Sequence, residues 1–210
     1  MRKPKAPEAN RARILAAAED EFASRGYEGA SMDAIAARTH TTRALINYYF
    51  GAKQGLYIAV LERVYGEIRE AESQLDLEHL EPEAAIRRIV EFTYHYYLEH
   101  EGFVRIVVAE NQARGRHLRK SKAMRSLNRP IIDRLARVIE RGQAAGIFRR
   151  DVDPVEMHKS IAALGMFNVT NQYTFGAIFQ REMGAKGDVG RRRSMVAELI
   201  LGYLTRGGSK

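Results

Sequence analysis

The chain has 210 residues, 45% of them apolar, which is enough for a folded core and typical of a globular protein. It contains no cysteine, which excludes disulfides, thiolate catalysis and cysteine-based metal sites. Lysine and arginine total 34 against 26 for aspartate and glutamate, and the formal net charge of +8 favours a polyanionic partner such as nucleic acid.

Three short helices are predicted at the start of the chain. The first covers residues 10–25, where apolar side chains recur every fourth position, and ends before Gly26, a natural C-terminal stop. The second begins at Ser31, a good N-cap, and the third runs from Thr42 to about Phe50. The loops between them are short, so the three helices must pack tightly on one another.

Longer helices are predicted after this point. Pro82 suits a first helical position, Asp153 and Glu156 form a capping box, and Pro130 is expected to interrupt or kink its helix. Strand signals are almost absent, so the sequence predicts an all-α protein. The expected helices cover residues 53–73, 82–100, 103–112, 123–145, 153–180 and 191–205.

A helix-turn-helix buries a small three-helix core and turns the exposed face of its last helix toward the major groove. Residues 31–50 meet both needs, because Ile35, Ala36, Ile46 and Phe50 form the inward set. The opposite face of the third helix consists of Arg43, Ala44, Asn47 and Tyr48. That face lacks acidic residues, as a surface facing phosphates should. Ser31 and Thr42 stand at helix starts, where backbone N–H groups and a hydroxyl can hold phosphate oxygens.

These positions form a recognisable signature. Its elements are Gly26-Tyr27-x-Gly29-x-Ser31, Ile35-Ala36, Thr42, Ile46, Tyr49-Phe50, Lys53 and Leu56. The set resembles the N-terminal signature of the TetR family of bacterial repressors, whereas the rest of the chain resembles that family only in general plan. The resemblance implies a three-helix helix-turn-helix domain over residues 1–52. It also implies a helical-bundle ligand-binding and dimerisation domain over residues 53–210.

The same resemblance assigns roles to individual residues. It implies that base edges are contacted by Arg43, Ala44 and Leu45, and the sugar-phosphate backbone by Asn47, Tyr48, Tyr49 and Lys53, with Thr42 at the helix start. Arg43 can read guanine through a bidentate contact worth about 1–3 kcal/mol. His40-Thr41 stands where the family usually has glycine and an apolar residue, and Asn47 where tyrosine is common. Histidine tolerates left-handed backbone better than most residues, so we expect the turn to form.

Two polar side chains lie on the apolar stripe of the helix predicted over residues 153–180. This helix is apolar on nearly all sides, so we expect it to be buried. Asn168 and Asn171 continue that stripe, and a buried amide requires a partner, which can be a ligand, another helix or a second subunit. Together with nearby aromatic and polar residues they form a candidate effector site. Its predicted members are Tyr94, Tyr97, Phe103, Glu110, Asn111, Met166, Asn168 and Asn171. Aromatic residues at helical spacing are more often plain core, so only a minority is expected to contact a ligand.

The last helix carries a regular apolar stripe from Met195 to Leu204. In the family the last two helices pair with those of a second copy, so the resemblance implies a homodimer. Two recognition helices about 34–36 Å apart would read a palindromic double-stranded operator. A small molecule that binds the non-operator state more tightly would release the DNA.

Other interpretations compete for parts of the chain. The basic stretch Arg114–Arg125 is either a solvated loop, which we favour, or an anion site, and the N-terminal Arg2, Lys3 and Lys5 are either solvating or a minor-groove arm. The histidines are scattered, so we expect no metal, cofactor or enzymatic activity. An architectural DNA-binding protein is the remaining rival. No apolar run approaches the roughly 20 residues that span a bilayer, and no signal peptide is evident, so we expect a cytoplasmic protein.

Overall fold

In the computed structural model the described residues are 6–181, 183 and 186–205; the basic residues Arg2, Lys3 and Lys5 lie outside them. The described residues are helical with no strand, which confirms the all-α prediction. The helices are α1 (Ala6–Gly29), α2 (Met32–Arg38), α3 (Arg43–Phe50), α4 (Lys53–Ser73), α5 (Pro82–Glu99), α6 (Glu101–Gln112), α7 (Met124–Ala144), α8 (Pro154–Thr170), α9 (Gln172–Phe179) and α10 (Lys186–Thr205), with a 3₁₀ turn at Leu118–Lys120. Among them, no helix combines the length and apolarity needed to cross a membrane.

The chain folds into two compact units. The first consists of Met1–Glu67 and Gly102–Leu127, and the second of Ile68–Glu101 and Asn128–Lys210. The first unit therefore contains α6 and the 3₁₀ turn as well as the three N-terminal helices. The boundary expected between residues 52 and 53 remains a prediction.

Apolar faces of α1, α2, α3, α4 and α6 fill the core of the first unit. The rings of Phe22 and Tyr57 meet edge to face with centroids 4.8 Å apart, and both side chains are fully buried. The expected stop at Gly26 appears as a kink within α1, where φ is 65° and a side chain would strain the backbone. After the kink the Ala30 N–H donates to the Gly26 carbonyl at 3.2 Å.

The core of the second unit is formed by α5, α7, α8 and α10. Gly165 of α8 lies against α5, where an added Cβ would come within 3.1 Å of the Tyr97 ring. The absence of a side chain at position 165 thus allows α5 and α8 to approach closely.

At the start of α8, Asp153 caps the helix by accepting hydrogen bonds from the N–H groups of Val155 and Glu156, as the sequence predicts.

Several expectations for this unit are wrong. The helix expected over residues 153–180 breaks at Asn171, where the backbone leaves the helical region (φ −116°, ψ 6°). The expected burial on nearly all sides also fails, because Tyr173, Ile178 and Phe179 of α9 are exposed. In addition, α7 is one helix that includes Pro130, and α10 begins at Lys186 rather than near residue 191.

Candidate nucleic-acid interface

Two side-chain caps fix the helices of the helix-turn-helix. The Ser31 hydroxyl accepts the Ala34 N–H at 3.3 Å, and the Thr42 hydroxyl accepts the Leu45 N–H at 3.2 Å. Each hydroxyl keeps its own proton, which can be donated to a phosphate oxygen. The side chains of Ser31 and Thr42 are both exposed, so the geometry suits the phosphate role predicted for them.

The turn between α2 and α3 is held by threonines. Thr39 is buried, and its hydroxyl donates to the Ile35 carbonyl at 2.8 Å and pairs with the Thr41 hydroxyl, also at 2.8 Å. The Thr41 N–H donates to the Ala36 carbonyl. His40 adopts φ 49°, which confirms that this residue takes the left-handed backbone usually left to glycine. The turn therefore forms without glycine.

One face of α3 is exposed and the other packs inward. Ile46 is completely buried, while Leu45, Tyr49 and Phe50 are half-buried. The exposed face carries Arg43, Ala44, Asn47 and Tyr48. Tyr48 is 82% exposed, a fraction too large for a core residue. The exposed face contains no acidic residue, as the sequence predicts.

Two cations at this surface already have partners. The Arg43 guanidinium lies 3.4 Å from the Asp33 carboxylate, and because both are exposed this pair is weak. The Lys53 ammonium donates to the Glu28 carbonyl at 3.1 Å and lies 5.1 Å from the centre of the Tyr27 ring. Lys53 therefore joins α4 to the end of α1. An ammonium has three donors, so it can contact a phosphate at the same time.

A buried polar cluster supports the interface from α6 and the 3₁₀ turn. Glu110 and His117 are each 1% exposed, and the Glu110 carboxylate accepts from the backbone N–H of His117 at 2.7 Å and of Leu118 at 3.0 Å. It also pairs with His117 Nδ1 at 2.8 Å. The His117 ring packs on Tyr27 and Tyr57, with centroids 4.2 and 4.9 Å away. Burial, reinforced by the Glu110 carboxylate, raises the pKa of Tyr57.

The basic stretch Arg114–Arg125 is partly engaged within the first unit. The Arg116 guanidinium pairs with the Glu28 carboxylate and lies over the Tyr27 ring, and Arg119 donates to the Arg114 carbonyl. Nothing in the sequence pattern indicated the contacts of Arg116, because Glu28 lies 88 positions away along the chain.

Comparison with known proteins agrees with this geometry. Residues 14–60 match the model of bacterial regulatory proteins, tetR family, and residues 82–200 match the tetracyclin repressor-like C-terminal domain. The HTH-type transcriptional repressor NicS of Pseudomonas putida is 34% identical over 204 residues, covering 96% of each chain. The chain belongs to the TetR family. It is thus a transcriptional regulator with a DNA-binding helix-turn-helix, and not an enzyme.

Other TetR-family relatives match less of the sequence or only the fold. The HTH-type transcriptional regulator RutR of Escherichia coli is 33% identical over 89 residues, or 42% of each chain. The fatty acid degradation regulator FadR from Bacillus halodurans superposes with a TM-score of 0.72 at 20% identity, covering 95% of this chain and 97% of that one. A tetR-family regulatory protein from Rhodococcus gives 0.73 at 19%, covering 93% and 96%. These structures share the helical architecture of the TetR family.

The effector residues predicted for this TetR-family chain fall in both units. In the first, Phe103 packs edge to face on Tyr65, Glu110 is bound to His117, and Asn111 is exposed and donates to the Val107 carbonyl. An effector role for Glu110 would require the bonds described above to break. The remaining predicted members, in the second unit, are Tyr94, Tyr97, Met166, Asn168 and Asn171.

Tyr94 and Asn168 are brought together in the second unit. Both are buried, and the Asn168 amide nitrogen donates to the Tyr94 hydroxyl. Burial raises the pKa of Tyr94, so its phenol stays protonated near neutral pH. Tyr97 is also buried and packs on Gly165, whereas Met166 and Asn171 are half-buried.

A cavity of about 340 Å³ adjoins Asn168. Its lining residues are Phe167, Asn168, Phe175, Arg181, Met183, Asp188, Arg191, Arg192 and Met195. Of these, only Asn168 was among the predicted effector residues. The run Arg191-Arg192-Arg193 was a visible signal, but a basic helix start is more often a solvated surface.

Proposed function

We propose that this regulator binds a palindromic double-stranded operator as a homodimer and represses transcription, and that a small-molecule effector in its second unit lowers operator affinity. The observation that supports the DNA-binding part is the exposed, acid-free face of α3. Arg43 would read base edges there, together with Ala44 and Leu45. Backbone contacts would come from Ser31, Thr42, Asn47, Tyr48, Tyr49 and Lys53.

Support for the homodimer comes from α10. Val196, Ile200 and Leu204 are buried in the core of the second unit. On a neighbouring face Met195, Leu199 and Tyr203 are 42%, 53% and 45% exposed and recur every fourth residue. A regular apolar seam of this kind is suited to packing against the same helix of a second copy.

The effector part is supported by the cavity next to Asn168 and by the family's C-terminal domain. An effector shifts the protein away from the operator-binding state only by the difference between its affinities for the two states. We place the protein in the cytoplasm, where operator DNA is found; a chain without cysteine forms no disulfide and so does not need an oxidising compartment.

The test is fluorescence anisotropy with the DNA upstream of the protein's own gene, against a scrambled duplex, across a salt series. We expect the native sequence to bind at least about a thousandfold more tightly. Arg43→Ala should remove most of that preference. Arg150→Ala, which removes the same charge from an exposed position in the second unit, should preserve it. Equal, weak binding of both duplexes with only a salt slope would show that the net charge alone is responsible.

A further inference from the structure

Two residues that line the cavity, Asn168 and Arg192, carry buried polar atoms without partners among the described residues. Asn168 is 3% exposed, and its amide nitrogen is used by Tyr94, but its carbonyl oxygen Oδ1 receives no hydrogen bond from the described part of the chain. Nε of Arg192 is likewise buried and without a partner among the described residues. A buried acceptor and a buried cationic donor left unpaired are costly, so these two atoms indicate a ligand that satisfies both.

The charge of the lining has a clear sign. Its described members include three arginines, Arg181, Arg191 and Arg192, and a single carboxylate, that of Asp188. Opposite charge within a few ångströms of a guanidinium is favourable, and a planar carboxylate matches its fork of N–H donors. A cationic ligand would be repelled by the same three groups.

The remaining walls are apolar and aromatic. Phe167 and Phe175 meet edge to face with centroids 5.6 Å apart, and Met195 adds a thioether-bearing side chain. Such walls suit a flat or apolar body rather than a sugar or a free phosphate. A purely apolar ligand would leave Asn168 Oδ1 and Arg192 Nε unpaired.

We propose that the effector of this cavity is a small organic acid that also carries a hydrogen-bond donor. Its carboxylate binds Arg192, its donor group reaches Asn168 Oδ1, and its apolar body packs against Phe167 and Phe175. The proposal rests on the proposed function, because it names the chemical class of the effector assumed there.

Isothermal titration calorimetry on the full-length chain tests the ligand class. The probes are benzoate, the hydroxybenzoates and the C6–C10 fatty acids, each against its primary amide. At least one acid should bind about tenfold or more tightly than its amide, and a hydroxybenzoate more tightly than benzoate. If no acid binds more tightly than its amide, the proposal is overturned.

Matched variants locate the binding. Arg192→Gln should remove the preference for the acid, whereas Arg150→Gln, at an exposed position outside the cavity lining, should keep it. Asn168→Asp provides a second variant in case the first does not fold. Its added carboxylate should weaken the binding of the acid about tenfold without weakening the binding of the corresponding primary amide. Unchanged acid binding in a folded variant of either residue would contradict the assignment.

Operator binding measured with the same compounds separates the two proposals. If an acid binds in the cavity but does not release the operator, the proposed effector role fails and the ligand class stands. If a neutral or cationic compound releases the operator and no acid does, the ligand class fails and the effector role stands.

Discussion

Replacing the buried Glu110 with alanine should lower the free energy of unfolding far more than replacing an exposed glutamate does. The side chain is 1% exposed and accepts from two backbone N–H groups, those of His117 and Leu118. It also pairs with the His117 ring, which is itself buried. Alanine therefore removes the acceptor and leaves three groups without their partner, two of them on the fully buried His117.

The expected loss follows from these contacts. Each buried donor left unsatisfied costs about 1–3 kcal/mol. Three such groups are left and Leu118 is only partly buried, so we expect a loss of about 3–5 kcal/mol in the free energy of unfolding, toward the lower end of their sum. For a chain of this size that corresponds to a melting temperature lower by about 6–20 °C. Glu110→Gln keeps an oxygen for the backbone N–H groups and should cost only about 1–2 kcal/mol.

Urea unfolding followed by circular dichroism measures the loss, at one protein concentration because dimerisation contributes to stability. Glu140→Ala is the control, since Glu140 is an exposed residue of α7 and its loss should stay within about 0.5 kcal/mol. If Glu110→Ala costs no more than this control, then the buried contacts contribute nothing net and the reasoning is refuted.

Further measurements address other parts of the molecule. Burial raises the pKa of Glu72 from 4.5 to about 7 despite neighbouring arginines, so its contribution to stability is lost as pH rises through that range. Glu72→Gln should therefore gain up to about 3 kcal/mol relative to wild type between pH 4.5 and 7, and a flat difference in urea unfolding would contradict this. Burial lowers the pKa of His158 from 6.5 to about 4, so the contribution of its unprotonated ring to stability is lost as pH falls through that range. Compared with wild type, the stability of His158→Gln should therefore fall by up to about 3 kcal/mol as pH rises from 4 to 6.5, and the opposite slope would refute the assignment. Asp33→Asn frees Arg43 from an exposed ion pair and should tighten operator binding roughly two- to fivefold in anisotropy at low salt, whereas weaker binding would show that the pair orients the arginine. Leu199→Arg places a charge in the exposed seam of α10 and should raise the dimer dissociation constant about tenfold or more by analytical ultracentrifugation; an unchanged constant would place the interface elsewhere.

Local signals in the sequence were sufficient for much of the fold. Ser31, Thr42 and Asp153 cap helices as predicted, because a capping bond involves only residues within three positions. The polar run Thr170-Asn171-Gln172 was a signal for the break, but it was missed because the apolar stripe resumes at Tyr173 and Phe175 and no glycine or proline stands at the break. Periodicity detects which residues favour a helix and does not detect where two helices meet.

The candidate sites were predictable to different degrees. The exposed face of α3 follows from helical spacing alone, so its residues could be named. The partner of Glu110 could not be named from the sequence. Its hydrogen-bond donors lie at the start of a short 3₁₀ turn, and such a turn has no sequence period of its own. The cavity arginines were missed for a different reason: a run of charge on a terminal helix is normally solvated, and only the packing of α8, α9 and α10 shows that Arg192 is partly buried.

The pairing of Arg116 with Glu28, across 88 positions of sequence, has a consequence for recombination. A chimera made by joining residues 1–52 to a foreign helical body would leave α6, His117 and Arg116 behind, and with them the packing behind Tyr27. The transferable DNA-reading module is therefore discontinuous in sequence. A chimera that carries residues 102–127 along with the first four helices should retain the stability of the DNA-binding unit, and one that omits these residues should lose it.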